Sequence, residues 1–429
     1  MAPPLSPQTG RPARAPDRSA LAYCPPVNTP AHGNAVEVLR DGREAFPAML
    51  EAIAAARRSV HLEMYIFNDD GTGRQFAEAL AGAAARGVEV ALLYDSLGSW
   101  RTHPWIFDWM AANGVRVIGY RPLFPWRQGW GWPRRDHRKL LVIDEAVGFT
   151  GGINIGDDWA EVDRGGRGWR DTMVRIGGPA ARALDLLFRE VWDREVRRQR
   201  SDLALAPMGG PLPPTGAASL SAETAFAPTG AASLSAETEF GTEADGDGVP
   251  VAIVGNREFG RRRAIRKTYR YAIDKARRYI FIANPYFVPD HAILRSLKWA
   301  RRRGVRVALL LPGQSDIASV QWASRATYEK LLTWGVEIHH WCQPMFHAKT
   351  AVIDGNWCTV GTYNLDTQSL RYNLEVTAVI PDRRVAGEIE RMFLEDLGRC
   401  DRIDLESWRR RPRWWRLPER FFYFFRAWL

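Results

Sequence analysis

The sequence predicts an α/β protein: two homologous αβα sandwich halves with mostly parallel sheets, related by pseudo-twofold symmetry. Three observations predict it. The chain has 429 residues, more than a single hydrophobic core usually serves and suited to two domains of about 150 to 200 residues. Near-continuous apolar strands alternate with amphipathic helices, the pattern of a sheet buried on both faces. The pattern also occurs twice: Arg86-Gly87-Val88-Glu89-Val90-Ala91-Leu92-Leu93-Tyr94 returns as Arg303-Gly304-Val305-Arg306-Val307-Ala308-Leu309-Leu310-Leu311, an offset of 217.

In order along the first half, a helix from Glu44 to Arg57 precedes a strand from Val60 to Phe67. A helix from Gly73 to Ala85 leads to a strand from Val88 to Tyr94, and one from Ile106 to Asn113 to a strand from Val115 to Tyr120. The second half offers helices Ala264 to Arg277, Ala292 to Arg303 and Ser319 to Trp334, with strands Tyr279 to Ala283, Val305 to Leu311 and Val336 to Trp341. Gly87 and Gly304 mark helix ends, where glycine accepts the left-handed conformation. Between the halves, Pro214 to Thr224 is repeated almost at once from Pro228 to Thr238. Its small residues and prolines bury little, so residues 206–247 read as a disordered linker, and 1–33 as a disordered N-terminal segment. The halves are then 34–205 and 248–400, with a distinct tail over 401–429.

The repeat also carries chemistry. His137, Lys139, Asp144, Gly151 and Asn154 recur 210 positions later as His347, Lys349, Asp354, Gly361 and Asn364. His and Lys two apart on an extended chain share one face, and Leu140 to Ile143 or Thr350 to Ile353 is apolar and β-branched enough to continue as a strand. A single such motif is weak; five matched positions at identical offsets are not required by folding. An anionic phosphodiester repels oxygen nucleophiles, so a metal-free site needs fixed cations and amide donors around its oxygens. Lys139, Lys349, Asn154 and Asn364 suit that role. One imidazole can attack phosphorus while the other protonates the leaving alkoxide and then deprotonates the incoming alcohol.

These residues resemble the phospholipase D superfamily, in which two H-x-K-x4-D half-sites form one active site. The runs from His137 to Asp157 and from His347 to Asp366, with Ser369-Leu370-Arg371, look like those of bacterial cardiolipin synthases. The resemblance implies a catalytic set of His137, Lys139, Asp144, His347, Lys349 and Asp354, with His137 the nucleophile, His347 the acid and base, and the two Asp organising the turn after each strand. It implies phosphate contacts from Asn154 and Asn364. It also implies that Asp171 orients His347 and Glu375 orients His137. One departure is visible: the position after the motif glycine, often Ser in the superfamily, is Gly152 in one copy and Thr362 in the other, which puts one hydrogen bond of the first half-site in doubt.

A net charge of +10 and a pI near 9.6 call for an anionic partner. From Trp408 to Leu429 seven Arg stand against one Glu among dense aromatics, a composition suited to the headgroup boundary of an anionic bilayer. Trp414, Trp415 and Arg416 there, and Trp126, Trp130 and Trp132 in the Gly- and Pro-rich loop before the first motif, are the expected membrane contacts; a helix packed on the body is the bland alternative for the tail. The N-terminal segment lacks an apolar signal core, and no run of 18 apolar residues occurs. Cys24, Cys342, Cys358 and Cys400 have no metal or redox spacing. The expectation is a short-form, peripheral enzyme on the cytoplasmic face of the membrane, using phosphatidylglycerol and needing no cofactor or metal. A hydrolase or nuclease of the superfamily and a scaffold with a relic site are the rivals. Fused halves and the aromatic tail argue against a nucleic acid partner.

Overall fold

The computed structural model describes residues 24, 29–122, 134–199, 202–205, 208, 248–256 and 263–426. Their strands in chain order are β1 (Ala31–Arg40), β2 (Ser59–Met64), β3 (Glu89–Asp95), β4 (Arg116–Tyr120), β5 (Leu140–Ile143), β6 (Val147–Gly151), β7 (Thr172–Gly177), β8 (Val249–Asn256), β9 (Tyr279–Ala283), β10 (Arg306–Pro312), β11 (Glu337–Trp341), β12 (Thr350–Ile353), β13 (Trp357–Gly361), β14 (Glu375–Ile380) and β15 (Cys400–Arg402). They form one sheet in the order β15-β11-β10-β9-β12-β13-β14-β8-β1-β7-β6-β5-β2-β3-β4. Reading outward from the β8–β1 contact, each strand of one half meets its counterpart in the other; β15 is the single addition. The expected pseudo-twofold thus runs between two central strands.

The α/β class holds, but the sheet is mixed rather than mostly parallel. Only β2–β3–β4 and β9–β10–β11 pair in parallel. The β5–β6–β7 and β12–β13–β14 meanders are antiparallel; tight turns join β5 to β6 and β12 to β13, and so short a connection cannot return a strand in parallel. In those turns Asp144 and Asp354 take left-handed backbone angles, φ 53° and 55°.

Helices cover both faces. Asp41–Ala55, Gly71–Ala85 and Trp105–Ala112 lie over the first half, and Ala264–Lys275 and His291–Arg302 over the second. Asp70 and Asp290 cap two of them, accepting from Gly73 N at 3.0 Å and from Ala292 and Ile293 N at 2.9 Å. Gly87 and Gly304 follow their helices at φ 84° and 85°, as expected. The expected helix from Ser319 to Trp334 is two, Ala318–Arg325 and Tyr328–Thr333. On the opposite face Pro179–Gln199 and Arg383–Leu397 close the core shared by the two halves, which runs from Phe188 and Trp192 to Phe281 and Phe393.

Three boundaries move. β1 starts at Ala31, inside the segment read as disordered, and Cys24 is buried in the second half's core cluster with Trp357. At the other end β15 pairs with β11, so the sheet continues past residue 400. The rest of the tail folds onto the body: Trp408 is buried with its ring 4.9 Å from Tyr328, and helix Arg416–Phe424 packs on Ala318–Arg325. The tandem repeat from Pro214 lies outside the described residues.

Candidate active site

The antiparallel pairing of β5 with β2 sets Leu140 opposite Glu63, and that of β12 with β9 sets Thr350 opposite Ala283. The motif residues just before β5 and β12 therefore sit at the C-terminal ends of the parallel strands, where ligands of α/β sheets collect. His137, Lys139, His347 and Lys349 occupy extended segments leading into the strands rather than the strands themselves. These segments are tied across the halves. His137 N donates to Leu374 O at 3.0 Å and Leu374 N to Arg135 O at 2.9 Å; His347 N donates to Arg170 O at 2.7 Å and Arg170 N to Met345 O at 3.0 Å. Each motif is thus zipped to the segment carrying the other half's acid.

That exchange builds the two dyads the resemblance implied. His137 Nδ1 lies 3.1 Å from both oxygens of Glu375, and His347 Nδ1 lies 2.7 Å from Asp171 Oδ2. With Nδ1 so engaged, each imidazole offers Nε2 to a ligand. Lys139 Nζ donates to His137 O at 2.8 Å and lies 4.9 Å from the Tyr65 ring. Lys349 Nζ donates to His347 O and stands 2.8 Å from His347 Nδ1. All six side chains are buried.

Burial shapes their protonation. The His137 imidazole is held well below its ordinary value by burial, then by Lys139 and Lys349. His347 is lowered less far, because burial and Lys349 act against Asp171. Burial pushes Lys139 down to about 7 and Lys349 to about 8, Lys349 adding to the first effect. The acids diverge. Burial raises Glu375 to about 7, whereas Asp171, although also desolvated, is drawn below the carboxylate range by Lys349 and His347. Only the His347 dyad therefore keeps a firmly ionised carboxylate.

The departure at Gly152 has a structural reason. In the second half Thr362 Oγ1 donates to Glu375 Oε2, and Ser369 Oγ to Oε1 at 2.6 Å. In the first half a Cβ at position 152 would collide with the Asp171 carboxylate, which closes on the bare glycine. Trp159 Nε1 takes over as donor to Asp171 Oδ2 at 3.1 Å, with Thr172 N donating to Oδ1 at 2.8 Å. The lost hydroxyl is replaced by an indole. Trp159 and Ser369 stand 210 apart, at matched positions of the repeat, but differ in residue type, and Tyr65, whose ring meets His137 edge-on at 4.7 Å, lies outside the matched motifs.

Asp144 and Asp354 sit at the far ends of β5 and β12 and are not part of the catalytic centre. Asp144 accepts from the amides of Arg57, Arg58 and Ser59 at 2.7–3.0 Å, and Asp354 from those of Arg277, Arg278 and Tyr279 at 2.8 Å. Each anchors the motif turn to the start of the neighbouring strand in the sheet, β2 or β9. Asn154 Oδ1 accepts from Ile66 N at 3.0 Å, leaving its amide NH2 as the donor end, and Asn364 Oδ1 is buried with no partner among the described residues. Trp414 is 64% exposed. Trp415 instead faces Trp322 at 6.1 Å, and Arg416 pairs with Glu329 at 3.5 Å, so both turn toward the body rather than outward. Trp126, Trp130 and Trp132 lie outside the described residues.

Known proteins are similar to this chain. Residues 49–189 and 269–397 match the phospholipase D-like domain of cardiolipin synthases. The chain is 33% identical over 376 residues to the cardiolipin synthase of Geobacillus sp. strain WCH70, covering 87% of this chain and 68% of that protein. It is 31% identical over 401 residues to cardiolipin synthase A of Citrobacter koseri, covering 92% and 75%. The fold is similar to that of the Haemophilus influenzae phosphatidylserine synthase crystal structure, with a TM-score of 0.61 at 12% identity over 90% of this chain and 91% of that one. With two matched domains and relatives aligned across most of its length, the chain belongs to the cardiolipin synthase family of phospholipase D-type phosphatidyltransferases.

Proposed function

We propose that the protein makes cardiolipin by moving a phosphatidyl group through a phosphohistidine onto phosphatidylglycerol. The crossed pair of dyads around two buried lysines carries this reading, because it supplies two imidazoles in different electrostatic settings at one site. His137, neutral beside a weakly acidic Glu375, is the nucleophile: its Nε2 forms a bond to phosphorus as the bond to the leaving headgroup oxygen breaks. His347, which Asp171 favours as the imidazolium, gives its Nε2 proton to that oxygen. The hydroxyl of an entering phosphatidylglycerol then returns a proton to His347 and attacks phosphorus, breaking the P–N bond and freeing His137. Lys139, Lys349, Asn154 and Asn364 hold the phosphate oxygens, whose anionic charge also restores the protonated form of neighbouring groups. With phosphatidylglycerol as donor, glycerol is released.

The same reading makes the enzyme peripheral, working at the cytoplasmic face of an anionic membrane. No helix among the described residues is long and apolar enough to cross a bilayer, while Trp414, Leu417, Phe421 and Phe424 stand exposed beside the tail's arginines. Purified protein with phosphatidylglycerol vesicles, analysed by mass spectrometry beside His137→Ala and His347→Ala, tests the proposal. Cardiolipin formed by the wild type and lost in both variants supports it. Phosphatidic acid alone makes the enzyme a hydrolase, and cleavage of single-stranded DNA without lipid turnover makes it a nuclease.

A further inference from the structure

We infer that the cavity beside His347 is the alcohol subsite of the reaction, and that Asp316 on its wall binds the hydroxyls of the entering polyol headgroup. This rests on the transfer reaction proposed above. The cavity, about 510 Å³, lies between the 162–169 segment of the first half and residues 314–316 and 344–345 of the second. Trp169 on its wall has its ring 5.9 Å from that of His347, and Met345 is two residues before it. Tyr286 links the other wall to the same imidazole: its ring lies 6.2 Å from His347 and its hydroxyl reaches the Asp316 carboxylate at 2.7 and 2.8 Å. In a displacement at phosphorus the attacking and departing groups are in line. With His137 attacking, the departing alcohol is on the opposite side, and the entering alcohol must come by the same side to displace His137. Both exchange their proton with His347, so both pass through the space this cavity occupies.

Asp316 is also where the repeat breaks, as a binding residue for only one partner should. The offset of 217 that superposes β3 on β10 matches Asp316 with Ser99. Ser99 is buried, and its hydroxyl is spent on the backbone, accepting from Phe67 N at 3.0 Å and donating to Tyr65 O at 3.3 Å. Asp316 tethers the equivalent segment through Tyr286 but leaves a charged carboxylate on the cavity wall. Two carboxylate oxygens offer about four acceptor sites, so after Tyr286 and the Ser315 hydroxyl at 3.3 Å they still suit a pair of vicinal hydroxyls. Arg167 on the facing wall, paired with Asp158 at 3.1 Å, suits the phosphate that an acceptor phospholipid brings besides its glycerol. A diol is thereby favoured over a simple alcohol or water.

The test supplies the full-length protein with phosphatidylglycerol vesicles and equal amounts of 1,2-propanediol and 1-propanol, and compares wild type with Asp316→Asn and Asp316→Ala. The phosphatidyl-diol to phosphatidyl-propanol ratio and total donor consumption are read by mass spectrometry. The wild type should favour the diol about tenfold, and Asp316→Ala should bring the ratio near one with a larger share of phosphatidic acid, while total consumption falls because the donor's own departing glycerol passes the same wall. Asp316→Asn keeps the tether to Tyr286 and should fall between them; it carries the test if Asp316→Ala melts early. An unchanged ratio in both variants, whatever the consumption, overturns the subsite. A wild type that makes no phosphatidyl product refutes the transfer reading, and the subsite with it.

Discussion

At the scale of residues, the two histidines have the same neighbours in type but not in effect. Glu375 shares its proton near neutrality, while Asp171 stays ionised between His347 and Lys349. Asp171→Asn should therefore damage proton transfer more than binding. We expect kcat to fall by about 10²–10⁴-fold with little change in KM. Since Asp171 is what raises His347, its loss lowers that imidazole further, so the basic limb of the residual pH–rate profile moves to lower pH. A limb that stays in place would mean His347 does not give the proton. The motif aspartates make the converse case. Asp354 spends its carboxylate on three backbone amides, so Asp354→Ala should cost about 2–4 kcal/mol of stability in denaturant unfolding, leaving those donors unsatisfied. The activity of the folded fraction should persist. A loss of kcat at unchanged stability would return Asp354 to the catalytic centre.

At the scale of elements, legibility in the sequence followed whether an element's pattern is local. β3, β9 and β10 are buried on both faces and read as apolar runs, and in β2 Val60, Leu62 and Met64 alternate with Ser59, His61 and Glu63. The central strand β1 does not read this way: in Ala31–Arg40 only Val36, Val38 and Leu39 are buried apolar side chains, and pairing partners far along the chain define the strand. The site divides likewise. His137, Lys139, His347 and Lys349 repeat in both spacing and type, whereas Trp159 and Ser369 share the spacing but not the type, and their common task of donating to an acid shows only in the fold. Helix Pro179–Gln199, also absent from the sequence reading, is pinned to β2 by a buried pair, His61 Nδ1 with Asp185 Oδ1 at 2.5 Å under the Phe188 ring. Asp185, with Glu89, raises His61 above its ordinary 6.5 despite burial. A raised folded value means the pair's stabilisation is complete below about pH 6.5 and is lost as pH rises through the folded value. Asp185 itself is lowered, so its share is in force well above pH 4. Asp185→Asn should thus cost about 3–5 kcal/mol near pH 6, and its deficit in melting temperature should narrow toward pH 9. A deficit independent of pH would show that His61 is neutral in the folded protein.

At the scale of the whole molecule, one sheet and two crossed dyads make the halves a single catalytic unit, and the tail sets how that unit meets its substrate. Trp408 and Trp415 are spent on packing and Arg411 is stacked 3.1 Å above Trp408 and paired with Glu419 at 2.7 Å. What remains outward is an apolar row, Leu417 at 69%, Phe421 at 58% and Phe424 at 76% exposed, with Trp414 before it. Helix Ala318–Arg325, on which it rests, follows directly from the loop bearing Asp316, so the row is rigidly tied to the rim of the cavity beside His347. An enzyme whose reacting phosphates lie at the headgroup level needs such a tie, because a mobile anchor would hold the protein at the bilayer without orienting the site. Replacing Trp414, Leu417, Phe421 and Phe424 together by Ser removes only outer ring contacts, those of Trp414 with Trp415 and of Phe421 with Phe422 among them, so the melting temperature should stay within a few degrees. If each side chain gives about 1 kcal/mol on entering the interface, binding to phosphatidylglycerol vesicles in a flotation assay should weaken by about 10²–10³-fold. Turnover on vesicles should fall with it, while turnover on short-chain phosphatidylglycerol below its micellar concentration should not. A variant that binds vesicles as the wild type does would place the docking face elsewhere on the molecule, and equal losses on both substrates would show that the row supports the site itself.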